Sequence, residues 1–135
     1  MGKAEKVHGK TIALSGMAFK GRPETSDLRG SPSVNIARKL YAMGYELRLQ
    51  DFAAYPDEMQ ALGLGRVCGN LREACDGADA VMILNNHERY IDLTREDLGS
   101  EKITVLDSWQ VCRNIHDAYS LGNMLLSEGG ANSCA

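Results

Sequence analysis

Most of the residues that could do chemistry in this 135-residue chain fall in one stretch, SGMAFKGRPETSDLRGSP at positions 15–32. Phe19 and Lys20 stand side by side, Arg22 follows, and Asp27 precedes Arg29 by two residues. An ammonium beside a flat apolar ring suits a ligand with phosphates at one end and a base or sugar at the other. The Asp27–Arg29 spacing leaves two readings open, a brace that orients the loop or a cation that meets ligand. The wider charge pattern agrees with an anionic ligand. Residues 1–40 hold eight Lys or Arg against three Asp or Glu, and the remainder seven against fifteen. A small positive region on an acidic body suits a compact anion and excludes a nucleic-acid backbone as partner.

The elements around this stretch place it. TIALSG (11–16) reads as a buried parallel strand ending in glycine. SPSVNIARKLYAMG then reads as a helix, with Ser31 as N-cap, Pro32 at its first position and Gly44 closing it. YELRLQDF (45–52), RVCG, DAVMILN (79–85) and ITVLD (103–107) read as further strands. PDEMQALGLG, NLREACDGA with Asn70 as cap, and LTREDLG with Thr94 as cap read as short helices between them. A closing helix is expected from about 114 to 126. The alternation predicts one three-layer α/β/α Rossmann-like domain with a five-stranded parallel sheet. Its expected bounds are 10–126, after a polar segment (1–9) and before a flexible tail (127–135). In such a sheet ligands settle at the carboxyl ends of the strands where strand order reverses, so the 16–31 crossing lies in a favoured place.

Other functions are harder to accommodate. No apolar run approaches the ~20 residues of a membrane span, and the polar start MGKAEKVHGK lacks signal-peptide form, so no membrane partner and a cytoplasmic location are expected. Cys68, Cys75, Cys112 and Cys134 form no CxxC pair, which argues against zinc, and none sits in a setting for a catalytic thiol. The dinucleotide fingerprint is broken: Ala18 stands where its second glycine belongs, and the crossing is too long. Asp51 follows the second strand, as an NAD ribose ligand would, but alone it makes no site. His87 and Glu88 are expected at the ligand-bearing edge, as a solvated polar turn or a catalytic base.

GKTIALSGMAFKGRPETSDLRGSPSVNIARKLYAMGYELRLQD resembles the start of the UDP-binding domain of the UDP-glucose/GDP-mannose dehydrogenase family. The shared features are Ala18-Phe19-Lys20 after the strand, Asp27-Leu28-Arg29 in the loop and Ser31-Pro32 opening the helix. GADAVMILNNHERY and ITVLDSW resemble the later strands more loosely. The chain departs from the family after the last strand. Where Asp-x-Arg-Asn is usual, it reads Asp107-Ser108-Trp109-Gln110, so an indole stands in the place of a cation. Trp109 is either core or a surface that stacks on a ligand ring.

The resemblance implies a UDP-sugar or UDP ligand. Phe19 and Lys20 would contact the nucleotide, Arg29 and the Ser31 helix end would support the site, and Trp109 would border it. Full-length members oxidise the sugar's C6 alcohol to a carboxylate with NAD, using a second nucleotide domain and a catalytic cysteine. This chain shows neither, so no catalytic residue, no metal ligand and no cofactor bound by the chain alone are assigned. It is expected to be a domain of such an enzyme, associating with a catalytic portion or as a homodimer. The alternative is a stand-alone, non-catalytic nucleotide-binding or protein-interaction module.

Overall fold

The computed structural model describes residues 10–19 and 25–120. Five strands, β1 (Thr11–Ser15), β2 (Glu46–Gln50), β3 (Arg66–Val67), β4 (Ala80–Ile83) and β5 (Thr104–Asp107), form one sheet ordered β3-β2-β1-β4-β5. Every neighbouring pair is parallel. Helices α1 (Pro32–Ala42), α2 (Pro56–Ala61), α3 (Leu71–Cys75) and α4 (Arg95–Leu98) fill the crossings. A 3-10 turn (Glu88–Tyr90) follows β4. The three-layer α/β/α arrangement expected from the alternation is the one adopted.

Local chemistry sets where the helices begin. Ser31 Oγ accepts from the Ser33 amide at the start of α1, and Pro32 has no amide to leave unpaired. Asn70 Oδ1 accepts from Glu73 N at 2.8 Å to open α3. Thr94 and Asp97 exchange bonds in a capping box, and Gly99, at φ 78°, closes α4 in the left-handed region. Except for α1, these helices have four to six residues, too few to persist alone in water. Packing on the sheet holds them.

The sheet carries a core on each face. Ile12, Leu14, Leu47 and Leu49 turn one way, against Val34 and Ala37 of α1 and Met59 of α2. Ala13, Val81, Ile83 and Val105 turn the other way, against Leu71, Ala74 and Cys75 of α3, Tyr90 and Leu98. Burying a side chain such as Leu14 or Leu49, both wholly inaccessible, contributes about 1.5–3 kcal/mol each. The pattern explains the near-continuous apolar strands: both faces need them.

The two margins of the sheet differ. β3 is two residues long, with exposed Arg66, and Gly65 before it can carry no Cβ because the Leu47 carbonyl occupies that space. At the other margin no helix forms over 114–120, the described part of the closing helix expected over 114–126. Residues 114–120 make turns, and Tyr119 bridges to Leu106, with Tyr119 N donating to Val105 O at 2.8 Å and Asp107 N to Tyr119 O at 2.6 Å. In NIHDAYS only Ile115 and Ala118 offer an apolar helical face, whereas the free side of β5 offers unpaired peptide groups. Residues 121–126, the 1–9 segment, the 127–135 tail and Lys20 lie outside the described residues.

Cys68, Cys75 and Cys112 are buried. Burial pushes the Cys75 thiol up to about 12, and burial with the Asp107 carboxylate does the same to Cys112. Unfolded thiols ionise near about 8.5, so from there to about 12 the unfolded chain loses protons that the folded chain keeps. The stabilisation is complete below the unfolded value and is lost as pH rises through that window. Urea midpoints should therefore fall between about pH 8 and pH 10.5, and fall less in a Cys75→Ala/Cys112→Ala variant. Equal slopes would show that the thiols do not contribute.

Candidate functional site

Strand order reverses between β1 and β4, since the chain builds β2 and β3 on one side of β1 and then places β4 on the other. The carboxyl ends of β1 and β4 therefore border a crevice. Gly16 lies where the two strand ends meet. Its φ is +96°, and a Cβ there would lie 2.7 Å from Asn85 N, so only glycine lets the two strand ends approach this closely.

The Asp51 carboxylate holds the rim together. Oδ1 accepts from Ala18 N at 3.0 Å and from Asn85 Nδ2 at 3.4 Å. Oδ2 accepts from Ala53 N and Ala54 N, both at 2.7 Å. Four donors from three segments nearly exhaust a carboxylate's capacity. Asp51 is thus a tie, with no lone pair left for ribose hydroxyls. The start of α1 is similarly engaged: Pro32 has no amide, Ser33 N is held by Ser31 Oγ, and Val34 N by Ser31 O. The cap thus takes up the first amides of α1.

Beneath the rim lies a buried polar chain. Tyr90 Oη meets Ser15 Oγ at 2.6 Å, and Ser15 Oγ donates to Gln50 Oε1. Ser15 and Gln50 are opposite each other in the β1–β2 register, and burial pushes the Tyr90 phenol well above its ordinary range. This chain pins the segment after β4. His87 is consequently buried, a correction to the polar tip expected there. Its amide donates to Asn85 Oδ1 at 3.1 Å, its Nδ1 accepts from Arg89 N at 3.1 Å, and its ring packs 5.1 Å from Phe52. The imidazole helps shape the turn.

The residues singled out in the sequence come to different places. Phe19 lies at the rim, 47% exposed, with its amide donating to Asp27 O at 2.6 Å. Ser31 is buried, its Oγ donating to Met17 O at 2.8 Å while it caps α1. That bond joins the first crossing to the helix start. The Arg29 side chain is 92% exposed and lies on Asp27, Nε to Oδ1 at 3.0 Å and Nη2 to Oδ2 at 3.4 Å. The pairing holds the Asp27 carboxyl below its usual range and raises the guanidinium. In this state Arg29 braces the loop. Trp109 is 51% exposed and hangs over the end of β4, Nε1 donating to Leu84 O at 3.1 Å.

Two functional contributors were missed in the sequence. Asn85 is 3% exposed and links Asp51, Ala18 O and His87 N. Ser33 Oγ donates to Gly16 O at 2.7 Å and tethers α1 to the crevice. The signal was present in both cases, an Asn closing an apolar strand and a second Ser in SPS.

Comparison with known proteins agrees with the fold. The model of the UDP-glucose/GDP-mannose dehydrogenase family, UDP binding domain, matches residues 13–114. A UDP-glucose 6-dehydrogenase of Bacillus subtilis, YwqF, is 41% identical over 81 residues, 59% of this chain and 18% of that protein. A UDP-N-acetyl-D-mannosamine dehydrogenase of Methanocaldococcus jannaschii is 31% identical over 103 residues, 71% of this chain and 21% of its own length. The chain thus spans about a fifth of the curated relatives it matches. Among solved structures, a UDP-glucose dehydrogenase from Pyrobaculum islandicum superposes with a TM-score of 0.68 at 23% identity, covering 87% of this chain and 27% of that one. At that identity the likeness speaks for the fold.

Two outcomes test the rim. Asp51→Ala strands the amides of Ala18, Ala53 and Ala54 and should lower unfolding free energy by roughly 2–4 kcal/mol in urea titration, with Asp51→Asn losing less. Gly16→Ala should destabilise more than Gly30→Ala. Both glycines take positive φ, but nothing lies within 4 Å of a Cβ at Gly30, so the excess reports the contact with Asn85.

Proposed function

The chain belongs to the UDP-glucose/GDP-mannose dehydrogenase family, matching its UDP-binding domain, and from that premise we propose that its carboxyl rim holds the nucleotide half of a UDP-sugar. The observation that carries the proposal is the crevice at the strand-order reversal, lined by the same crossing that bears Ala18-Phe19-Lys20. Phe19 lies against the nucleotide, Lys20 meets the phosphates, the Ser31 helix end and Arg29 support the loop between them, and Trp109 borders the ligand from the β5 side. The wider role is that of the nucleotide-holding part of an NAD-dependent nucleotide-sugar 6-dehydrogenase, working with a catalytic portion or as a homodimer.

On this reading the oxidation itself is done outside this domain. The buried cysteines hold their protons far above neutral pH, and the dinucleotide turn is filled by serine hydroxyls. What these residues can do is bind and orient: an ordered rim holds the nucleotide so that the sugar projects outward.

A second reading, a non-catalytic interaction module, is favoured by one observation, the indole at position 109 where the family carries a cation. It expects association with a protein partner that nucleotide leaves unchanged, measurable by light scattering with and without UDP.

A thermal-shift series separates the two. A ligand at a hundredfold excess over its Kd adds about 2.7 kcal/mol, several degrees for a domain of this size. UDP and UDP-glucose should both raise the melting temperature, and Lys20→Ala should abolish the shift. A melting curve unmoved by millimolar UDP would refute the binding reading.

A further inference from the structure

Trp109 is the single tryptophan of the chain, and its position is tightly determined. Its indole Nε1 is bound to Leu84 O, its amide donates to Asp107 Oδ1 at 3.3 Å, and Asp107 Oδ2 also accepts from Cys112 N at 2.8 Å. The preceding Ser108 clips to Ile83 O through Oγ at 2.6 Å and N at 3.2 Å. The following Gln110 takes φ 56°, a conformation that non-glycine residues hold only where their surroundings enforce it. Its side chain donates to Ser120 Oγ at 2.8 Å.

All this order supports a ring that is half bare. Packing alone would draw a tryptophan inward, since it is among the largest apolar side chains available. The indole also sits beside the crevice. Leu84 O, its acceptor, lies 3.5 Å from Ser33 Oγ, which in turn holds Gly16 O. Among the described residues of the same crossing, Arg29 is paired with Asp27, and the first amides of α1 are engaged.

We propose that Trp109 is a stacking platform for the uracil ring, so that the base is held at this site in addition to the phosphates that Lys20 meets. The inference rests on the UDP reading above and adds which part of the ligand is recognised. A clamped indole presents a flat π-face at little entropic cost, and a planar base stacks on it without needing a counter-charge. Uridine should then bind on its own, more weakly than UDP, and added salt should change uridine binding little.

The test is a titration of the full 135-residue chain with uridine, UDP and glucose 1-phosphate, followed by indole emission and calorimetry at about 0.05 and 0.5 M salt. Uridine and UDP should both perturb the emission, and glucose 1-phosphate should not. Trp109→Ala should weaken uridine and UDP alike by about tenfold, and Trp109→Phe should keep most of the affinity. Trp109→Arg should lose uridine yet bind UDP with a steeper salt dependence. UDP binding with unchanged emission, and with Trp109→Ala as tight as the parent, would overturn the platform while leaving the UDP reading intact. Absence of UDP binding by any readout would overturn both. Should Trp109→Ala fail to fold without its bond to Leu84, the parent's emission and Trp109→Phe decide the matter.

Discussion

The carboxylate of Asp51 is the constraint on which the rim of this molecule depends. Three pieces of chain that leave the sheet in different directions, after β1, β2 and β4, are drawn to one side chain. Each brings a polar group that would otherwise need water, and a loop packed over the sheet has little water to offer. A neutral side chain could satisfy some of these donors. An ionised one satisfies all four with stronger bonds, because the hydrogen bonds of a charged acceptor are roughly twice as strong as neutral ones. Once the tie is made, Gly16 must approach Asn85 closely, and the crevice takes its shape from that approach.

The same economy explains what the crevice can hold. A dinucleotide turn keeps backbone amides and an acidic side chain in reserve for its ligand, but here both are turned to internal use. What stands exposed beside the crevice is aromatic, Phe19 on one crossing and Trp109 on another, and the sequence between β1 and α1 carries Lys20, Arg22 and Arg29. A ligand that is flat at one end and anionic at the other matches such a surface. The buried thiols, their protons held well above neutral pH, belong to the packing of the core.

Fold and site were not equally legible in the sequence. The helix starts at Ser31, Asn70 and Thr94 could be read directly, because a cap is a contract between residues two or three apart. The strand count followed from apolar runs bounded by glycine and aspartate. Residues 114–120 were misread because their fate depends on an open strand flank that only the assembled sheet presents. Asp51 was noticed for the wrong reason: its position after β2 suggested a ribose partner, while its actual partners, Ala18 and Asn85, lie 33 and 34 residues away. His87 looked like a solvated tip because its neighbours are polar, yet Phe52 and the Tyr90 anchor enclose it. Trp109 was posed as either packed or exposed to ligand, and it is held at its nitrogen and bare elsewhere.

The margins of the sheet carry a consequence of their own. β3 is too short to template another strand and opens on a charged side chain, while the flank of β5 is clipped by Tyr119. A neighbouring molecule therefore finds no run of free peptide groups along which to continue the ladder. Among the described residues, crowded copies would thus meet through side chains and not by extending the sheet.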